Sequence, residues 1–269
     1  MRKMIRADLR RVFRKQIFWI IPLIALLFGL STMVSMLTVE ILSKIIPQMG
    51  LLAQQKNAAL ASINTVMDSL KLALSIVIFL ALFVDDFKAM SMTQMIGYGM
   101  SRKKIVLSKF IDSVILSSIF YVVLVPVLFL LFSLFHQPLT GEYASFVLFS
   151  IFFGALKTIA SVTIAALVLY LTNNMAMGIF ALLILQILPV GLQMMSASPA
   201  IRVLHLDRYF MDGMFGYAHT NFILGLVPEG IFWTILCVVI YIGLVLAGTI
   251  IYFERKELDF YDGPKREEE

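Results

Sequence analysis

Six runs of apolar residues follow one another between Ile17 and Tyr252, and this succession limits what the chain can fold into. The runs are about 17–37, 70–84, 114–135, 143–171, 175–194 and 231–252. In hydrocarbon every backbone N–H and C=O must be bonded within the structure, so runs of this kind read as membrane-crossing helices. The second run is short unless its helix begins earlier. The fourth, about 29 residues, exceeds the roughly 20 needed to cross, so tilt, a break or extension beyond the bilayer must absorb the excess. Composition agrees: 60% of residues are hydrophobic, 14% are charged and the mean hydropathy is +0.92, far from the balance of soluble domains. The expected fold is all-α, a polytopic membrane protein with six transmembrane helices.

Charge sets the orientation. The head (1–16) carries seven Lys or Arg residues, the connector between runs two and three (85–109) five and the tail (254–269) four, against four in the segments assigned outside. By the positive-inside rule both termini are cytoplasmic. The net charge of +5 is thus a topology signal, and nucleic acid is not an expected partner. Met1, Ile5, Leu9 and Val12 fall at helical spacing, with Arg2, Lys3, Arg6, Arg10 and Arg14 on other faces. This predicts an interfacial amphipathic helix with its apolar stripe in lipid and its arginines on anionic headgroups. The plainer reading is a basic flank that only fixes topology. Phe18 and Trp19 mark the inner edge of the first run, which lacks a small-residue cleavage site and is expected to be a retained span.

Two polar segments are assigned outside, Thr38–Asp68 and Ser196–Gly230; both are expected to be helical, the second packed on the outer mouth through its aromatics. Pro126 is expected to kink the third helix. His136–Glu142 reads as an outer turn and Asn173-Asn174 as a minimal inner one.

Several chemistries are excluded. The chain has no P-loop, no G-x-S-x-G elbow and no H-E-x-x-H. Its one cysteine, Cys237, forms no intrachain disulfide, and His136, His205 and His219 lack metal-ligand spacing. No catalytic, cofactor-binding or metal-binding residue is expected. Lys157, deep in the fourth run, costs about 2.5–3.5 kcal/mol unless it meets water or an acid. It either lines a polar path or links spans, or it snorkels. Gly154, Thr158, Ser161 and Ala165 form a small-residue ridge on the same helix, a mark of close packing and less often of a conduit. Gln186 reads as an interhelical hydrogen bonder, and Asp112 as a partner for Lys109 or for another chain.

The connector is the most specific feature. Asp85 and Asp86 end the second run. Lys88 to Ile96 form a short amphipathic pattern with Met90, Met92, Met95 and Ile96 on its apolar side, and Gly97 and Gly99 permit a sharp turn. Ser101 is placed to cap a helix whose first turn is Arg102-Lys103-Lys104. A basic first turn opposes the helix dipole and calls for compensation by headgroups or an acidic partner.

These residues resemble the permease subunits of type-2 ATP-binding-cassette (ABC) transporters. Members have six spans, a basic interfacial N-terminal helix, outer helices before the last span and, between spans two and three, an acidic residue, a short coupling helix and a Gly-x-Ser-Arg-like turn leading to a lysine. Here Asp85 or Asp86, Met90 to Ile96, Gly99-Met100-Ser101-Arg102, Lys109 and Ala200 to Pro228 stand at those positions, with aspartate where the family usually has glutamate. The resemblance implies an exporter subunit in a bacterial plasma membrane that pairs with a second permease copy or a homologous permease. It also implies a separate ABC ATPase subunit, which would bind ATP and Mg and dock on the connector and head. Asp85, Asp86, Lys88, Met92, Met95, Ser101 and Arg102 would then be coupling residues, and Lys157 and Gln186 path or interhelical residues. The implied substrate is a peptide, drug or lipid-linked molecule. The competing expectation is a self-sufficient secondary transporter or channel, which needs intramembrane ionisable pairs or inverted repeats.

Overall fold

A computed structural model describes residues 2–16, 18–20, 23, 24, 26, 27, 31, 58–88, 91–135, 141–195 and 229–255. Eight α-helices lie within them: α1 (Arg2–Phe13), α2 (Ala58–Phe79), α3 (Asp85–Lys88), α4 (Ser91–Gly97), α5 (Arg102–Phe135), α6 (Gly141–Thr172), α7 (Met175–Met195) and α8 (Glu229–Arg255). A π-helical turn, Leu80–Val84, joins α2 to α3. Most of the first apolar run, the outer segments 38–57 and 196–228, the turn 136–140 and the tail 256–269 lie outside the described residues.

The all-α expectation holds for what is described. Three helical stretches, Arg102–Val123, Leu148–Thr172 and Ile235–Arg255, are long and apolar enough to cross a membrane, and Leu70–Val84 and Met175–Leu188 are shorter apolar stretches. The helix of the second run starts earlier than its apolar part, at Ala58. The helix of the third run begins well before its apolar part and continues as helix through Pro126. The long fourth run is absorbed by one unbroken helix of 32 residues.

Local chemistry sets the ends of these helices. At the end of α4, Met100 N–H donates to Met95 O (3.0 Å) and Gly99 N–H to Ile96 O (2.9 Å), while Gly99 takes φ 82. This is a Schellman ending, and of the two connector glycines only Gly99 needs the left-handed conformation. The α6–α7 turn divides the work between two asparagines. Asn173 adopts φ 52, and Asn174 caps α7 by accepting the Ala176 N–H on its Oδ1 at 2.9 Å. Ser101 closes the first turn of α5 through its carbonyl, which accepts from Lys104 (3.0 Å) and Ile105 (3.3 Å).

α6 is the central helix and packs against α2, α5, α7 and α8. Its small-residue ridge is where these neighbours come close. A Cβ on Gly154 would stand 2.8 Å from Tyr121 Cε1, and the Tyr121 hydroxyl hydrogen-bonds Thr158 Oγ1 at 2.9 Å. Farther along, Ala165 faces Gly178 of α7, whose missing side chain admits the buried Phe79 ring. The ridge is therefore a packing surface. The outward faces of α7 and α8 are large and apolar, with Phe180, Ile184 and Ile187 on one and Val239, Ile240 and Leu244 on the other.

Gly178→Ala should destabilise the protein by about 1–3 kcal/mol, because the new Cβ overlaps the Phe79 ring and lies 3.3 Å from Ala165 O. Gly243→Ala meets no atom within 4 Å and should be neutral or stabilising by up to about 1 kcal/mol. Thermal unfolding of the two purified variants in detergent checks the contrast.

Candidate functional site

The expectation for α1 was an apolar stripe in lipid. Instead Val12 is fully buried in the bundle and Asp8, one turn earlier, is buried beside it. At 100° per residue Met4, Asp8, Arg11, Val12 and Lys15 share one face. That face lies on the start of α5 and on the π turn. Ser108 of α5 donates to Met4 Sδ at 3.3 Å.

Four side chains from three elements close a ring there. Arg11 Nη2 lies 3.2 Å from Asp8 Oδ1, and Lys109 Nζ lies 2.6 Å from Asp8 Oδ2. Asp86 completes the ring, one oxygen on Arg11 Nη1 and the other on Lys109 Nζ. Lys109 and Asp86 are fully buried. Removing an ion from water costs several kcal/mol, so such charges persist only when each is paired. Two cations alternate with two anions here, and the ring is neutral.

The π turn places Asp86 in it. Asp85 N–H donates to Leu80 O, five residues back, so the turn holds one more residue than an α-helical turn. That residue rotates everything after it by about 100°. Asp86 is thereby directed inward and Asp85 outward, where it pairs with Lys15 at roughly one-third exposure of both partners. The wide turn also leaves a carbonyl for Arg11, whose Nη2 reaches Ala81 O at 3.4 Å. An exposed pair such as Lys15–Asp85 is worth at most about 1 kcal/mol, so the buried ring dominates. The two aspartates, equivalent in sequence, are thus separated: Asp86 is the structural acid.

Asp112 is fully buried on α5, one turn beyond Lys109, and its oxygens have no hydrogen-bond donor among the described residues. The lysine expected as its partner is held by Asp8 and Asp86 instead.

The remaining connector residues divide. Arg102 donates from Nη1 to Phe253 O (3.1 Å) and its guanidinium lies 5.9 Å from the Phe253 ring centroid. It therefore compensates the carbonyl end of α8, and the basic first turn of α5 finds its counter-dipole within the chain. Ser101 is exposed, and no hydrogen bond of its hydroxyl falls among the described residues. Met95 is half-buried and Ile96 packs on the core. Tyr98 at the tip is 89% exposed. The side chains of Lys88 and Met92 lie outside the described residues.

Lys157 is not in open hydrocarbon. Its ammonium stands 3.3 Å from Asp68 of α2, and the lysine side chain is 15% exposed against 45% for the aspartate. Lys71 and Ser75 are buried on the same helix α2. Gln186 is half-buried, and its Oε1 has no hydrogen-bond partner among the described residues.

Sequence reasoning missed Asp8 and Arg11. The available signal was Asp8 itself, the single acid in a head of seven cations. No family model, curated protein or solved structure matches the chain.

Burial alone would raise the carboxyl pKa of Asp86, but the Arg11 hydrogen bond and the Lys109 charge outweigh it and hold the value below the ordinary range. A depressed carboxyl pKa contributes stability that is complete above the unfolded value, about 3.9, and is lost as pH falls through the folded value. Asp86→Asn should therefore cost about 3–5 kcal/mol at neutral pH by leaving Lys109 and Arg11 under-compensated. The gap from wild type should hold from pH 7 down to about 4 and narrow only as pH falls below that, toward the depressed folded value. Thermal unfolding of both proteins across that range measures it.

Proposed function

We propose that this chain is the membrane-spanning permease subunit of an ATP-driven ABC exporter, and that its connector receives force from a separate ATPase subunit. The supporting observation is the ion ring. A short helix at a domain contact can transmit force only if it is fixed to what must move. Asp86, just before α4, is bonded to Arg11 of α1 and to Lys109 of α5. Arg102 carries the linkage on to the end of α8. A push on α4 thus reaches the N-terminal helix and two long apolar helices through strong, directional contacts. The ATPase would bind ATP and Mg and dock on α4 and the exposed Tyr98 tip. A second permease copy or homologue would complete the translocation path. Peptides, drugs and lipid-linked molecules are the substrate classes this reading carries.

One observation favours a second reading. A self-sufficient secondary transporter needs ionisable pairs among its helices, and Lys157 with Asp68 is such a pair.

The two readings separate in proteoliposomes. Under the first, a P-loop ATPase co-expressed with the chain co-purifies with it, and the complex hydrolyses ATP faster than the ATPase alone. The double substitution Met92→Asp with Met95→Asp should abolish capture and stimulation while leaving membrane insertion intact. Ion-gradient-driven transport by the chain alone, with no ATPase captured, would replace this reading with the second.

A further inference from the structure

Asp112 stands outside the charge balance of the ring. It is fully buried on α5, and neither of its oxygens meets a hydrogen-bond donor among the described residues. Facing it from α1 is the carboxyl of Asp8, close enough for a side-chain hydrogen bond. Ionised carboxylates only accept, so this contact is a bond only when one of the two carries a proton. Asp8 is the poorer holder of it, because Asp8 already accepts from Lys109 Nζ at 2.6 Å and lies 3.2 Å from Arg11 Nη2.

The surroundings hold no spare cation for an ionised Asp112. Lys109 on α5 and Arg11 on α1 act on it, and both are bonded to Asp8 and Asp86. The side of α5 that meets α6 and α8 is lined by the neutral groups Ser113, Thr163, Tyr170 and Thr249. The charges of α2, Asp68 and Lys71, lie about four turns or more before Asp86, and Lys157 of α6 is paired with Asp68. Glu254 and Arg255 end α8 beside Arg102, ten positions before Asp112 on α5. Ionised, Asp112 would set three carboxylates against two cations in a site without water to spread the excess charge.

We infer that Asp112 is a proton-binding site that controls the docking of α1: as a neutral acid it donates its O–H to Asp8, and loss of that proton releases α1 from α5. The O–H bond of Asp112 breaks, the proton passes to water, and two carboxylates in contact then repel each other across the α1–α5 interface. An exposed carboxyl ionises at about 3.9. The docked form therefore keeps a proton that the undocked form has lost, and docking weakens as pH rises. The device belongs to the chain itself and is independent of whether an ATPase drives it.

The test uses the full-length chain in a neutral detergent, as wild type and as Asp112→Asn, whose amide donates to Asp8 without titrating. Infrared spectroscopy at neutral pH should show the C=O stretch of a protonated carboxylic acid in wild type and not in the Asn protein. Amide hydrogen exchange of Arg2–Phe13 is then followed from about pH 5 to about pH 9 in both, the Asn protein cancelling the intrinsic pH dependence of exchange. Protection of α1 in wild type relative to Asn should fall about tenfold per pH unit for as long as the docked form keeps its proton, and level off once it is lost. If the Asn protein does not express, wild type grown with isotope-labelled aspartate carries the test: the acid band should shift with the label and vanish over the pH range in which α1 loses protection. Absence of the acid band, its survival in the Asn protein, or a ratio of protection that stays constant with pH would overturn the inference. So would a labelled band that does not shift, or that disappears while α1 keeps its protection.

Discussion

Lys109 is an ammonium with no exposed surface, and the end of the bundle next to the connector is arranged around the need to neutralise it. A single carboxylate would balance its charge but leave donors unused, whereas two carboxylates would leave a net negative site. The protein uses two carboxylates, Asp8 and Asp86, and adds Arg11 between them, which restores neutrality and closes the ring. Its members come from three separate parts of the chain, Asp8 being 101 positions from Lys109 and Arg11 75 from Asp86. The ion ring and the burial of Val12 thereby together determine which face of α1 turns inward.

The same requirement gives the π turn a purpose. Without the additional residue in Leu80–Val84, Asp86 would lie about a quarter turn away and Asp85 would stand nearer the ring, with Arg11 lacking the Ala81 carbonyl. Away from the ring the bundle is organised by size instead of charge. Gly154, Thr158, Ala165 and Gly178 permit close approach around α6, and Lys157 is tied to Asp68 at the edge of that packing. The two regimes suit a structure bonded rigidly to its connector through charge and held elsewhere by van der Waals contact.

Much of the architecture was legible in the chain because it depends on local chemistry. Among the described residues the apolar runs are helical, Gly99 and the two asparagines form turns, and α5 starts at Arg102, its first turn closed by the Ser101 carbonyl and not by the hydroxyl expected to cap it. Tertiary pairing was not legible. Nothing in the local pattern distinguishes Asp85 from Asp86, because the π turn that separates them is formed by ordinary apolar residues. Asp8 and Arg11 were hidden by distance along the chain, and so was the Asp68 partner of Lys157, 89 positions away. Val12 was misplaced because its apolarity suits lipid and a core equally well. The counter-charge for Arg102 was sought in headgroups or a partner and is supplied by the carbonyl end of α8.

The central claim is that the ion ring docks α1 on the connector and on α5. The contact of Met4 with Ser108 reports on that docking without belonging to the ring. In a Cys237→Ala background, Met4→Cys and Ser108→Cys should be bridged efficiently by a short bis-maleimide in intact membranes, and adding Lys109→Met should remove most of the bridged product while both cysteines still react singly. Equal bridging with and without Lys109, or none with either, would contradict it.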